Sequence, residues 1–484
     1  MPQRPIRFRT TTPVPAHAEI DQDALLARFA AIRQQLDVPT AFPADVLAEA
    51  DLAARDVAVP DRDETPVPFL TIDPVGSMDL DQALHIERDG DGYRVRYAIA
   101  DVPAFVAPGG PLDAETRRRV ETIYAPDERT PLHPPVIGEG AASLLPDQVR
   151  PAFVWDLHLE ADGNETGAQV YLAQVRSTAR LDYGGVQKSV DEGAADEVLM
   201  LLKEVGEKRI ALEAARGGAS LPLPEQEVTQ DDQGRFVLGF RPPVDAEDWN
   251  AQISLMTGMA AAQMMLRGKV GILRTMPPPD QGAVDRFRRQ ARALGVDWPT
   301  DERYGDFIRR LDLSDPRQLA LVHEATALFR GAGYTAFEGD LPTQQEHAAV
   351  AAPYAHVTAP LRRLVDRFGL VVCAALTSGQ EVPGWVRETL STLPETIKAG
   401  DSRAKAVERA CTDAVEAAVM ASRVGETFTA DVVDVDPKRS GVTVQLSDPA
   451  IVARAKGDAK LGDEVQVRLD AADIATGTIA LTVV

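Results

Sequence analysis

Three aspartates, Asp73, Asp79 and Asp81, fall within nine residues in the stretch Thr71-Ile-Asp-Pro-Val-Gly-Ser-Met-Asp-Leu-Asp-Gln-Ala-Leu84. Carboxylates that close repel unless a cation lies between them, and hard oxygen donors suit Mg²⁺ or Mn²⁺. An EF-hand is disfavoured, because Val75 and Ser77 take the next alternate positions and the required Gly and closing Glu are misplaced. In so acidic a chain the alternative reading is a solvated acidic loop.

A second stretch, Tyr354-Ala-His-Val-Thr-Ala-Pro-Leu-Arg-Arg-Leu-Val-Asp-Arg367, could bind an anion. Thr358 is placed to cap a helix with Pro360 in its first residues, so backbone amides and the positive helix end would face whatever precedes them. Arg362 or Arg363 in that first turn opposes the helix dipole, and an arginine so placed pairs well with a phosphate. The alternative is an ion pair with Asp366.

Both stretches need rigid support. Residues 69–72 read as a buried strand, a Pro-Val-Gly-Ser turn follows, and residues 82–88 and 93–101 form a hairpin around Asp89-Gly-Asp-Gly92. Asp113 is expected to cap a short helix carrying Arg117, Arg118 and Arg119. Residues 124–135 hold too much proline for regular structure, and proline-fixed loops hold side chains at low entropic cost. Tyr124 there is a candidate base-stacking platform, with a half-buried tyrosine as the alternative. Strands resume at 153–159 and 170–177. Helices are expected at 194–215, 246–267, 281–294 and 316–330, with an extended pair at 221–224 and 236–240 joined by 231–234. The methionines of the second helix read as close-packed core.

After helices at 382–390 and 394–423, five short strands between residues 427 and 483 match a small Greek-key OB barrel. The first 19 residues form a Pro/Thr-rich arm with Arg4, Arg7 and Arg9, expected to stay disordered until something binds it. Amphipathic residues Leu25 to Leu36 and a second short helix at 45–55 complete a leader.

The 484 residues suit roughly three domains. The net charge of −23 argues against nonspecific attraction to polyphosphate without excluding a locally basic groove. No apolar run approaches the ~20 residues of a membrane span. The arm lacks the apolar core of a secretory signal, although a transit-peptide reading survives. Cys373 and Cys411 are too few for a disulfide framework or a four-thiolate zinc site, so a reducing compartment is expected.

Three features, in order and at matching spacing, resemble the RNase II/RNB ribonucleases: Thr71-Ile-Asp-Pro followed after four residues by Asp-Leu-Asp, then Tyr97-Ala-Ile-Ala-Asp-Val102, then Tyr354-Ala-His-Val-Thr-Ala-Pro-Leu-Arg-Arg363. Ala179-Arg-Leu-Asp-Tyr183 and the terminal barrel also fit. The resemblance implies an α+β fold, with a mixed-sheet RNB catalytic domain over 66–423, an OB-fold barrel over 424–484 and a basic arm with a short helical leader over 1–65. It implies a magnesium-dependent 3′→5′ exoribonuclease that hydrolyses single-stranded RNA processively to nucleoside 5′-monophosphates by a two-metal mechanism. Mn²⁺ is the substitute ion.

By position, Asp73, Asp79 and Asp81 match the family's metal-binding aspartates, and Arg362 matches the arginine on the reacting phosphate. Tyr124 resembles the base-stacking tyrosine and Tyr183 a second RNA-contacting one. Glu408 is similar to an acid near the RNA 3′ end, and Arg363 and His356 fall in the RNA-contacting motif. The expected partner is single-stranded RNA, with no membrane, no small-molecule cofactor, a monomeric state and a cytoplasmic location.

Three departures carry expectations. Gln82 stands where the family has a fourth aspartate, and its amide oxygen is expected to coordinate the cation without adding charge. Trp249-Asn-Ala-Gln-Ile-Ser254 replaces a Glu-rich helix motif. The paired cold-shock barrels are missing and about 65 residues stand there, which predicts a wider channel entrance. The rival is an RNA-binding protein whose nuclease site has decayed through Gln82.

Overall fold

The computed structural model describes residues 6–8, 21–221, 225–230, 236–241, 243–435, 440–446, 449 and 451–484. Five strands form a closed central barrel: Phe69–Asp73, Gln82–Asp89, Gly92–Ala100, Val149–Leu159 and Glu165–Asp182. The hairpin between the second and third pairs Asp89 with Gly92, and Gly90 at φ +58° supplies the conformation that a two-residue turn needs. Closure is parallel, with Asp73 opposite Asp182. The first two strands pair only at Leu70 and Leu84, so they diverge and residues 74–81 leave the ladder as a loop. Asp79 and Asp81 therefore stand in a gap of an otherwise hydrogen-bonded wall.

The 24-residue helix Asp245–Gly268 packs against helix Leu364–Thr377, and both share one core with the barrel residues Leu84, Val95 and Trp155. Met256, Met264 and Met265 are buried there, as close-packed core methionines should be. Gly258 lets the chain come close. A Cβ at that position would lie 2.2 Å from the Tyr354 ring, and Ala355 N donates to Gly258 O at 3.0 Å. This contact lays the Tyr354–Arg363 stretch along the helix.

The C-terminal strands Thr427–Asp434, Val442–Leu446, Ile451–Lys456, Glu464–Asp473 and Thr478–Val483 close into a second barrel, so the α+β architecture with a terminal five-stranded barrel holds. The long helix Leu393–Ala421 shares a core with it through Val407, Cys411 and Val415.

Several local expectations are corrected. Thr358 does not cap a helix: the helix begins at Leu364 with Arg363 as its N-cap residue. The Asp366 carboxylate draws the preceding chain into a turn, accepting from Ala359 N at 2.7 Å and from Arg363. Asp113 lies inside helix Pro111–Arg119, which Gly110 starts, and its buried carboxylate accepts from Gly109 N at 2.9 Å and from Arg367. The Pro-rich segment contains a short pairing, Ile123–Tyr124 with Arg129–Thr130. Part of the arm is ordered as strand Ile6–Phe8, which pairs parallel with residues 226–228; Arg4 and Arg9 lie outside the described residues, as do 222–224 and 231–234 of the expected extended pair.

The leader folds onto both barrels. Helix Gln22–Gln35 buries Leu25, Phe29 and Ile32, and the Phe29 ring meets Phe236 edge-on at 5.7 Å. Helix Ala44–Arg55 sends Val46 and Ala50 into a core with Phe69 and Ala98 of the central barrel.

Candidate phosphodiester-cleaving site

Asp81 is almost fully buried, at 4 % exposure. Its Oδ1 accepts from Leu361 N at 2.7 Å and its Oδ2 from Arg362 Nε at 3.2 Å. The carboxylate thus holds both the backbone and the side chain of the arginine stretch. Burial raises its pKa to about 8 against the pull of Arg362 and of the Leu361 amide, and Asp79 pushes it further up. Asp73, at the end of its strand, is raised to about 7 by burial, opposed by Arg362 and reinforced by Asp79. Its Oδ2 is enclosed without a hydrogen-bond partner among the described residues. Enclosed carboxylates with too little positive charge near them create an environment that a divalent cation satisfies.

Asp79 is differently engaged. Its Oδ1 accepts from Arg129 Nη1 at 2.5 Å, and the same guanidinium reaches Glu139 at 2.5 Å. Among the described residues no three His, Cys, Asp or Glu side chains are gathered tightly enough to form a finished metal cage. The donor chemistry of Asp73, Asp79 and Asp81 nonetheless fits Mg²⁺, which takes one or two carboxylates and keeps sites for water and substrate phosphate.

Gln82 is engaged by protein groups at both ends of its amide. Its amide oxygen accepts from the buried Tyr97 hydroxyl, and its Nε2 donates to Thr358 O at 2.6 Å. Thr358 Oγ1 in turn meets Ser254 Oγ at 2.7 Å. Both ends of the amide are occupied by protein groups, so Gln82 joins the barrel to the arginine stretch.

The other residues fall into two groups. Arg362 keeps a side chain 46 % exposed although its Nε is fixed, leaving guanidinium nitrogens for an anion. Tyr124, at 41 % exposure, is the only aromatic among the exposed large apolar side chains of the described residues, and its hydroxyl feels the charges of Asp79 and Arg362. Backbone bonds tie its segment to the arginines: Thr122 N donates to Arg362 O at 3.0 Å, and Leu364 N to Val120 O at 2.9 Å. Val120 sits at φ +71°, a conformation that costs a β-branched residue about 1–3 kcal/mol. Tyr183 begins the helix after the strand beside Asp73, and its hydroxyl accepts from Asn250 Nδ2 at 3.3 Å, so the Trp249–Ser254 segment faces this site through Asn250 and Ser254.

Arg363 and His356 are engaged elsewhere. The Arg363 guanidinium pairs with the Asp366 carboxylate at 2.8 and 2.9 Å, realising for Arg363 the ion pair weighed as the alternative. His356 Nδ1 meets the Tyr334 hydroxyl at 2.7 Å, and burial holds the imidazole well below its ordinary pKa. Glu408 is half-buried on the long helix beside Val407, which shares a core with Ile123. Arg129 escaped the sequence reading, although it is the only Lys or Arg between Arg119 and Arg150 and lies five residues from Tyr124.

The RNB domain family matches residues 62–373, and the RNase II-type exonuclease C-terminal S1 domain matches residues 426–484. The chain is 27 % identical over 354 residues to ribonuclease R of Escherichia coli (strain K12), covering 68 % of this chain and 42 % of that protein. It therefore spans about two-fifths of that relative's length. Mycoplasma genitalium RNase R, solved with ribose-methylated single-stranded RNA, superposes with a TM-score of 0.84 at 18 % identity, over 96 % of this chain and 78 % of that one. Yeast Ssd1, a pseudonuclease, superposes with a TM-score of 0.67 at 15 % identity, over 90 % of this chain and 56 % of that one. At these identities the structural likeness is one of fold.

Proposed function

From the membership of this chain in the RNB family, we propose that it is a 3′→5′ exoribonuclease that hydrolyses single-stranded RNA processively to nucleoside 5′-monophosphates. One observation carries the reading: Arg362 is anchored by Nε to a buried acid, Asp81, and keeps the rest of its guanidinium exposed.

In this reading Asp73, Asp79 and Asp81 would hold Mg²⁺ or Mn²⁺ for two-metal hydrolysis. Such ions supply an activated water and charge stabilisation at the leaving 3′-oxygen. Arg362 neutralises charge that grows on the equatorial phosphate oxygens, and because Asp81 fixes it beforehand, little reorganisation is needed during reaction. Tyr124 stacks on a base near the 3′ end, and Tyr183 lines the same cleft across the Asp73 strand. Gln82 acts as a positioning residue that holds Thr358, and through it the turn leading to Arg362. Glu408 contributes an RNA contact at its edge, and Arg363 and His356, held by Asp366 and Tyr334, support the RNA-contacting stretch from behind. RNA is the partner of a monomer in the cytoplasm, and the terminal barrel guides the strand. No helix among the described residues is long and apolar enough to cross a membrane.

The engaged Gln82 amide favours one second reading, an RNA-binding protein with a weakened nuclease site. Incubating the protein with uniformly labelled single-stranded RNA and Mg²⁺, with and without EDTA, separates the two. The exoribonuclease releases nucleoside 5′-monophosphates only without EDTA; intact RNA that stays bound in both arms selects the second reading.

A further inference from the structure

We propose that the leader helix Gln22–Gln35 braces the Tyr124 hairpin, with Arg33 as the positioning residue for the stacking ring. This rests on the exoribonuclease reading, which gives Tyr124 its role. The Arg33 guanidinium meets the Asp127 carboxylate through two parallel hydrogen bonds, Nη1 to Oδ1 and Nη2 to Oδ2, each 2.8 Å. Its Nε lies 3.1 Å from Glu128 Oε1. The Arg33 and Asp127 side chains are only 11 % and 12 % exposed, so this is not a solvated surface pair. A planar fork on a carboxylate fixes direction as well as distance, which a lysine would not do.

Asp127 and Glu128 form the turn between Ile123–Tyr124 and Arg129–Thr130. Strands of two residues cannot support themselves. An exposed ring on such a hairpin keeps its place only if the hairpin is held from outside. Arg129 holds the inner side through Asp79 and Glu139, and Arg33 holds the outer turn.

Two more contacts bind the leader to the same segment. Val38 and Ile123 share one buried core. At the base of the segment, Arg119 Nη2 donates to Ala41 O at 2.7 Å, and its guanidinium lies 3.5 Å from the centre of the Phe42 ring. The leader thus touches the start, the strand and the turn of residues 119–130. These contacts hold the hairpin that presents the ring within the field of Arg362.

The test measures binding of a fluorescent single-stranded oligoribonucleotide in EDTA, with thermal unfolding to check the fold, for wild type, R33A, Y124A, R33A/Y124A and the exchange R33E/D127R, the last made with E128Q so that the new glutamate does not face Glu128. Loss of one stacked base weakens binding roughly tenfold. R33A is expected to lose about as much as Y124A, the double variant no more than either single one, and the exchange to recover most of the affinity. Wild-type affinity in R33A, or losses that multiply in R33A/Y124A, overturns the brace. If R33A does not fold, the exchange decides: a folded exchange variant with wild-type affinity supports the brace, and one that folds but still binds weakly overturns it. A wild type that binds no RNA overturns the exoribonuclease reading itself and the brace with it.

Discussion

Gln82 Nε2 donates to the Thr358 carbonyl at 2.6 Å, across a gap of 276 residues in sequence. With the Tyr97 hydroxyl on its oxygen, the amide is a link between the barrel wall and the arginine stretch. Replacing it by alanine takes the partner from the buried Thr358 carbonyl, a loss of about 1–3 kcal/mol, and one acceptor from the Tyr97 hydroxyl. Gln82→Ala is expected to lower kcat by on the order of tenfold to a hundredfold through displacement of Arg362. Its affinity for Mn²⁺, measured by titration calorimetry without RNA, should match the wild type. Clearly weaker Mn²⁺ binding would restore Gln82 as a ligand.

Arg129 occupies the Asp79 carboxylate at 2.5 Å, where a cation must compete with it. Arg129→Gln is expected to bind Mn²⁺ more tightly, because the competing charge is removed. RNA binding in EDTA should weaken in the same variant, since the hairpin loses its inner anchor. Calorimetry and fluorescence anisotropy read the two effects in opposite directions. Unchanged or weaker Mn²⁺ binding would show that the Arg129 contact does not guard Asp79.

Asp101 gives a pH test of stability away from the proposed metal residues. Burial raises its pKa to about 7, with the Ala104 amide pulling the other way. A folded-state pKa above the unfolded value near 4 means that the protonated acid favours the fold. That stability is complete below pH about 4 and is lost as pH rises through about 7, by roughly 4 kcal/mol at most. Asp101→Asn keeps an acceptor for Ala104 N and carries no charge. Its Tm should exceed that of the wild type at pH 8 and converge on it towards pH 4. Parallel Tm curves across that range would contradict the assignment.

What the sequence reveals depends on how local the determining interactions are. The hairpin at 82–100 was legible because alternating apolar residues and a Gly-containing turn specify it within twenty residues. The terminal barrel was legible for the same reason. The helix start at Leu364 was not, because Asp366 reorganises the turn before it, and Thr358-Ala-Pro carries a capping signal that the fold does not use. For the candidate site, Asp73, Asp81, Arg362 and Tyr124 were singled out by type and spacing. The partners that set their behaviour were not: Arg129 lies 50 residues from Asp79 and Arg33 lies 94 from Asp127, separations at which no periodicity survives. The engagement of Gln82 was not legible, because composition identifies an amide oxygen and says nothing of the buried Tyr97 hydroxyl that donates to it.

The central claim is that Asp81 and Arg362 work as one unit on a phosphodiester, and Asp81→Asn tests it most directly. An asparagine keeps the acceptor for Leu361 N and removes the charge that pairs with Arg362 and with a cation. Turnover of labelled single-stranded RNA and its equilibrium binding are measured side by side on wild type and variant. The prediction is release of nucleoside monophosphate by the wild type, none by Asp81→Asn, and RNA affinity retained in both. Wild-type turnover in Asp81→Asn would contradict it.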